Sequence, residues 1–550
     1  MNVFKHVEAK IEDALQQLKR DGVLPGDLDI AGVEVQEPRD PAHGDVASNA
    51  AMVLAKRAAM KPRDIAAALA RVLADDADFA SSDVAGPGFL NIRLEDRVWF
   101  AVLRDVLSQG EAYGTSDIGA GKSAHVEFVS ANPTGPMHIG HCRGAVFGDA
   151  LARVLQKAQF DVTREYYIND AGAQVDKLGQ TAYLRYREAL GEEIGEIPEG
   201  LYPGDYMVAV GEALAASHGD MLMNETKAEY LPIARKVAIE MLMATIKDDL
   251  AALRVHHDVF FSEWSLIHGQ NDQVAEAIDK LKAKGLIYQG RIPKPKDHDG
   301  DEWEDREQTL FRSTEYGDDM DRALMKSDGS YTYFANDVAY HYNKIERVFD
   351  CYFNVLGADH VGYIPRLKAA VSALSDGRAE FETPVTQLVK VLRDGVPVTM
   401  SKRAGTFVAL RDVVDEVGAD AVRFMMLMRK HDSALDFDLS KVVEQAKENP
   451  VFYVQYGHAR ACSVLKNAVV TFPDLDVSAG ALADSELSLL EDDGERELVR
   501  FLARYPRVIE GAARDREPHR IPVYLYDLAS LFHAQHTRGR DSPHLRFIQG

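Results

Sequence analysis

Two histidines, His138 and His141, flank Gly140 in the run HVEFVSANPTGPMHIGHCRG, where a strand pattern gives way to a helix pattern. The first turn of a helix presents unpaired N–H groups and a partial positive charge, so it attracts phosphate. Imidazoles in that turn can donate hydrogen bonds to phosphate oxygens without a metal. Gly140 lets a nucleotide come close to the backbone. An HxxH pair on its own is more often two histidines on a packed helix face. The strand, the Asn–Pro loop and the helix around this one favour phosphate. Far downstream, VPVTMSKRAGTF puts Ser401, Lys402 and Arg403 in a loop after a hairpin, with Gly405 permitting unusual dihedrals. A loop lysine of this kind can close over a triphosphate and stabilise charge on departing pyrophosphate. Taken alone it reads as a solvated basic turn; paired with the histidines it points to nucleotide chemistry.

The elements that must position these groups form three blocks. The first runs from Met1 to about Leu103, with helical periodicity over Val3 to Leu18 and Arg63 to Leu73 and a turn and strand over Val84 to Ile92. A Gly-rich joint, Gly114 to Gly121, leads to the second. There a strand (His125 to Ser130), a loop (Ala131 to Met137), a helix (His138 to Gln156) and a strand (Val162 to Ile168) make the βαβ unit of a parallel sheet. The sheet is expected to resume at Phe353 to Leu356. Val385 to Leu392 and Val396 to Met400 should pair as a hairpin about Asp394–Gly395. The intervening stretch, about 178–308, reads as an insertion. The third block is helical: Ala419 to Met428, Lys441 to Leu465 with a break at Asn449–Pro450, Leu487 to Ala513, and Ile521 to His536. The expected fold is therefore α/β and multidomain. It has a small α+β domain over 1–105, a Rossmann-like parallel-sheet domain over 120–408 and an all-helical domain over 409–550.

A chain of 550 residues is long enough for about three or four domains and needs no disulfide or metal to hold a core. Its apolar share of 46% and charged share of 27% are those of a globular protein and exclude collagen, low-complexity scaffold and disulfide knot. The formal charge of −24 argues against unselective coating of nucleic acid, but leaves room for a partner docking on local basic patches. Cys142, Cys351 and Cys462 are scattered outside any CxxC or Cys/His spacing, so no zinc site and a reducing, cytoplasmic setting are expected. The N-terminal segment is an amphipathic helix without the apolar core of a signal peptide, and no run of eighteen apolar residues suggests a membrane span.

The two motifs together resemble the HIGH and KMSKS signatures of the class I aminoacyl-tRNA synthetases: His138, Ile139, Gly140, His141, and then Thr399, Met400, Ser401, Lys402, Arg403. Thr399 stands where the class pattern has its first lysine, so phosphate stabilisation through this loop falls to Lys402. GDVASNAAMVLAKR, VAGPGFLNIRL, VEFVSANPTGPMHIGH, GADAVRFMMLMRKHDSALDFDL and ENPVFYVQYGHARACS extend the likeness over nearly the whole chain, and what they resemble is the arginyl-tRNA synthetase family.

The resemblance implies an enzyme that activates L-arginine with ATP as its Mg²⁺ complex, releases pyrophosphate and moves arginine to the terminal ribose of its tRNA. It implies that tRNA must be present for the first step. It implies catalytic roles for His138, His141 and Lys402. ATP contacts would come from Asn132, Pro133, Gly135, His138, Gly140, His141, Asp359, Met400, Ser401 and Lys402. A guanidinium is planar, always charged and best met by carboxylates. Asp337 in YFAND matches the family's guanidinium-binding aspartate, with Tyr333 as the wall beside it. Glu127 and Asn132 match the residues around the amine and carboxylate, and His360 falls where some members have Gln. Tyr453 and Tyr456 share a helix face, and the resemblance assigns them to unpaired anticodon bases; Arg460 is a candidate for local phosphate contact with the tRNA. His536, Arg538 and Arg540 are candidates for phosphate contacts. ATP, arginine and tRNA are thus the expected partners of a monomer, with no further cofactor.

Two rival readings stay open on the motifs. One is a nucleotidyltransferase of the HIGH superfamily that uses no RNA, against which the ENPVFYVQYGHAR region speaks. The other is a non-catalytic synthetase-like protein, which would be expected to lose site residues that are present here. Family members usually continue for about another helix beyond the point where this sequence ends, LRFIQG. The expectation is a short protein or a truncated form.

Overall fold

The computed structural model describes residues 1–38, 40–292, 306–398 and 408–549. Two compact units are formed, and the chain passes between them more than once. One comprises Asp117–Val451 with Ala513–Pro522, the other Met1–Ser116 with Phe452–Ala512 and Val523–Gly550.

The first unit is built on a five-stranded parallel sheet. Its strands are β1 (Ser123–Glu127), β2 (Asp161–Ile168), β3 (Val259–Ser262), β4 (Cys351–Asn354) and β5 (Glu380–Glu382), in the spatial order β5-β4-β1-β2-β3. Every pairing is parallel, and Glu127 is opposite Asn354 on one side and Glu165 on the other. Helix α1 (Ile139–Lys157) is the β1–β2 crossover. It is buried on nearly all sides, hence its Ala, Val, Leu and Gly content. At Gly148 a Cβ would sit 2.2 Å from the Phe128 ring, so the helix lies this close only because that residue is glycine.

The segment expected as an insertion is not wholly outside the sheet, because β3 returns to pair with β2. The part that stands apart is a cluster of the helices Ala173–Ala189, Tyr206–His218 and Lys227–Ala252 around Leu178, Tyr186, Met207 and Leu214. The expected hairpin is present: β6 (Val389–Arg393) pairs antiparallel with β7 (Val396–Pro397), and Asp394 and Gly395 turn with φ of +53° and +77°. It does not extend the main sheet. β6 instead pairs in parallel with β8 (Leu435–Asp438), a partner supplied from the helical block.

In the second unit, the helix Val3–Arg20 starts on an Asn2 cap and buries Val7, Ile11, Leu15 and Leu18. It shares a core with a four-stranded antiparallel sheet, with Trp99 and with Val499 and Ala503 of the C-terminal helices. Helix Pro450–Thr471 begins after Asn449, whose side chain accepts from the Val451 N–H at 3.1 Å. The last long helix is Arg520–Asp541.

Candidate active site

Ligands of an open parallel sheet lie beyond the carboxyl ends of its strands. β1 ends at Glu127, and the chain then turns through Val129 and Ser130 with φ of +71° and +42°. For a β-branched residue this is a costly conformation of the kind held at functional sites. Ser130 is fixed by its hydroxyl, which donates to Glu127 at 3.1 Å and accepts from the Tyr167 N–H at 3.1 Å.

The chain reaches α1 through 131–137. His138 is the N-cap: its Nδ1 accepts from the Gly140 N–H at 3.1 Å, while His141 Nδ1 accepts from the His138 N–H at 3.3 Å. Both rings are thereby acceptors at Nδ1, which leaves the proton of each neutral imidazole on Nε2. They stack at 3.8 Å between centroids. A Cβ at Gly140 would lie 2.8 Å from the His138 ring, so glycine is required for this pair to close. The segment before the helix is bonded to the one following 399–407: the Ile139 N–H donates to Val408 O at 3.1 Å and the Leu410 N–H to Met137 O at 2.9 Å.

An acidic pocket lies on helix α2 (Tyr333–Glu346) and the neighbouring strand ends. Asp337 accepts a hydrogen bond from Tyr363 Oη, and its carboxyl is pushed up to about 7, first by burial and then by the negative charges of Glu263 and Glu127. Glu263, buried just beyond β3, accepts from Asn336 Nδ2 at 2.8 Å; burial and Asp170 raise its pKa as well. Asp170 takes the Ser262 hydroxyl at 2.5 Å and the Trp264 N–H at 2.8 Å. Carboxyls crowded in this way favour a bound cation, whose charge offsets their repulsion.

Glu127, by contrast, has a resident cation. Lys344, almost wholly buried, donates to Glu127 and to Asn354 Oδ1 at 3.0 Å, with its ammonium 4.1 Å from the Tyr340 ring centre. Burial lowers the Lys344 pKa. Asn354 also donates to His341 Nε2 at 3.0 Å, and His341 Nδ1 bonds to the Asp337 carbonyl at 2.8 Å. Burial holds this imidazole neutral. On the neighbouring strand, opposite Glu127, Glu165 accepts from Tyr340 Oη at 2.7 Å and from Arg347 at 2.6 Å.

The structure places the other expected residues as follows. Asn132 is exposed and donates to Gln174 Oε1 at 3.1 Å; Pro133 is buried. Gly135 approaches Tyr206, whose hydroxyl donates to Thr134 O at 2.8 Å. Tyr333 is 60% exposed, with its ring against Gly172. Asp359 and His360 are exposed, 3.5 Å apart, on the short helix that leads to Tyr363. Met400, Ser401 and Lys402, with Thr399 and Arg403, lie outside the described residues. In the other unit, Tyr453, Tyr456 and Arg460 converge on His533. Arg460 lies 4.3 Å over the Tyr456 ring, donates to its hydroxyl at 2.6 Å and bonds to His533 at 3.0 Å. Arg538 is bidentate to Asp492, both bonds 2.7 Å, so it is held by a carboxylate of its own unit.

Sequence reasoning missed Glu263, Lys344, Asn354, His341 and Tyr363. A signal existed for part of this set: Asp337, Tyr340, His341 and Lys344 have the 0, 3, 4, 7 spacing of one helix face. Also missed was Arg143 in the HCRG run. It is buried and donates to the carbonyls of Gln387, Ser433 and Lys430 at 3.1, 2.5 and 2.9 Å.

Comparison with known proteins matches three family models in succession. They are the arginyl tRNA synthetase N terminal domain over residues 5–94, the class I (R) tRNA synthetase catalytic domain over 102–461 and the DALR anticodon binding domain over 454–539. The arginine–tRNA ligase of Nitrobacter hamburgensis is 59% identical over 551 residues, covering 100% of this chain and 92% of that protein. That of Xanthobacter autotrophicus is 58% identical over 548 residues, covering 100% and 94%. Among solved structures, the putative arginyl-tRNA synthetase of Campylobacter jejuni superposes with a TM-score of 0.70 at 32% identity over 81% of this chain and 92% of its own. The arginyl-tRNA synthetase of Thermus thermophilus shares the fold, with a TM-score of 0.68 at 21% identity over 96% and 91%.

Proposed function

The chain belongs to the arginyl-tRNA synthetase family, and from that footing we propose which of its residues perform the two steps of an arginine–tRNA ligase. The enzyme activates arginine with ATP and transfers it to tRNA. In the first step an oxygen of the arginine carboxylate attacks the α-phosphorus of ATP. The bond from that phosphorus to the bridging oxygen breaks, and pyrophosphate leaves. In the second a terminal ribose hydroxyl attacks the activated carbonyl and AMP leaves. Neither step needs a covalent enzyme intermediate, so catalysis rests on positioning and on charge stabilisation.

His138 and His141 are the phosphate donors, through Nε2, at the N-terminus of α1; Lys402 is the third. ATP, taken up as its Mg²⁺ complex, is bounded by Asn132, Pro133, Gly135, Gly140, Asp359, Met400 and Ser401. Asp337 and Glu263 receive the guanidinium against Tyr333. Glu127 and Asn132 receive the amine and carboxylate end, with His360 nearby. Tyr453, Tyr456 and Arg460 form the anticodon-facing surface. In domain terms, 1–105 contacts tRNA, 120–408 carries the chemistry and 409–550 reads the anticodon. The protein acts as a monomer in the cytoplasm.

The observation that carries this reading is the acidic pocket of Asp337 and Glu263 on the strand-end side where the imidazole pair also stands. ATP–pyrophosphate exchange with each of the twenty amino acids, with and without total tRNA, tests it. Exchange should appear with arginine and require tRNA. Exchange driven by another amino acid would refute the pocket assignment.

A further inference from the structure

Lys344 has no part in the assignments above, yet it is among the most deeply buried side chains of the molecule. Taking an ammonium out of water is costly, and a buried ion pair often gains nothing over apolar packing. Its location argues for function. Its two partners, Glu127 and Asn354, are the terminal residues of β1 and β4 and stand opposite one another in register. That is the ligand end of the sheet. The second Glu127 oxygen is taken by Ser130, held in a left-handed turn. The carboxylate is thus fixed from two sides, beside a pocket where Asp337 and Glu263 already repel further negative charge.

We propose that Lys344 is a positioning residue for the substrate's amino end: its ammonium fixes the Glu127 carboxylate so that Glu127 receives the α-ammonium of arginine, while Asp337 and Glu263 keep the guanidinium. Two cationic groups of one substrate are thereby sorted onto two carboxylate sites, one already paired with a lysine and one not. The inference rests on the assignment of Glu127 to the amine, and the experiment separates the two.

Calorimetric binding of arginine and of 5-guanidinopentanoate, the analogue without the α-amine, is measured on the full chain and on Lys344→Met, Lys344→Arg and Glu127→Gln. The parent should bind arginine about 10- to 100-fold more tightly than the analogue, the scale of a hydrogen bond between charged groups. Lys344→Met should bring that ratio to within about threefold while leaving the affinity for the analogue nearly unchanged, and Lys344→Arg should restore part of the ratio. A merely structural role would weaken both ligands alike. A Glu127→Gln variant that keeps the full ratio overturns the Glu127 assignment. If Glu127→Gln loses the ratio and Lys344→Met keeps it, the role of Lys344 alone is overturned. Should Lys344→Met fail to fold by circular dichroism, Asn354→Ala, which removes the lysine's second anchor, gives the same readout. An unchanged ratio there also overturns the proposal.

Discussion

The Ile139 N–H donates to the carbonyl of Val408 at 3.1 Å, and the Leu410 N–H, two residues on, donates to the carbonyl of Met137, two residues back, at 2.9 Å. Ile139 is the first residue of the helix that carries the histidine pair, and Val408 directly follows 399–407. Two motifs far apart in sequence are therefore joined at the backbone. The chain directly after 399–407 is thus held against the start of the helix on which His138 and His141 stand.

Lys402→Ala is accordingly expected to lower turnover by about 10²- to 10³-fold, the scale for one lost donor to developing charge. Circular dichroism melting should be unchanged. Steady-state aminoacylation at saturating arginine and ATP checks this, and turnover within a few-fold of the parent would remove Lys402 from the mechanism.

If Asp337 receives the guanidinium as proposed, its carboxyl, pushed up to about 7, should make arginine affinity depend on pH. A guanidinium would bind the ionised form, so Kd should rise about tenfold per unit as pH falls below about 7. The same group has a stability signature. Between the usual 3.8 and about 7 the folded chain holds a proton that the unfolded chain has lost, so this group's contribution to stability declines as pH rises through that window. Asp337→Asn should therefore flatten the arginine pH profile and weaken binding strongly, yet melt higher than the parent at pH 8 and no higher near pH 4. Calorimetry and thermal melts at both pH values measure this.

The buried Arg143 supplies donors to three partly buried carbonyls, those of Gln387, Lys430 and Ser433. Arg143→Met keeps the apolar stem but strands those acceptors, at about 1–3 kcal/mol for each one left without a donor. Since these carbonyls are only partly buried, urea unfolding should show a net loss of about 1–3 kcal/mol. A loss below about 1 kcal/mol would mean that water replaces the guanidinium.

Tyr456 is 44% exposed, with Arg460 on one face of its ring. Tyr456→Ala is expected to weaken tRNA binding by about 1–3 kcal/mol, the scale for one stacked base. Arginine Kd should not move. Arg538→Ala should matter less for tRNA, since Asp492 already neutralises that guanidinium. Filter binding across a salt series separates these two substitutions, because a phosphate contact changes the salt slope and a stacking contact does not.

The local pattern was enough to read the β1–α1–β2 unit, the Asp394–Gly395 turn and the Asn449 break, because each is set by neighbours in sequence: an apolar face, two left-handed residues, a cap. What escaped depends on distant partners. Nothing in Val259–Ser262 marks it as the edge of a sheet begun at Ser123, and nothing in Leu435–Asp438 marks it as the partner of Val389–Arg393. The acidic half of the site divides the same way. Asp337 lies in a recognisable run, while Glu263 resembles any carboxylate in a loop. Lys344 resembles the basic residue common in a helix's last turn, where it complements the dipole, and only the fold shows its side chain directed inward to Glu127.

The most direct test is a crystal structure with arginine and a non-hydrolysable ATP analogue bound together. The guanidinium should lie within hydrogen-bond distance of Asp337 and Glu263, and the nucleotide's phosphates at the Nε2 atoms of His138 and His141. Phosphates bound away from that helix start, or an arginine whose guanidinium contacts neither carboxylate, would contradict the account.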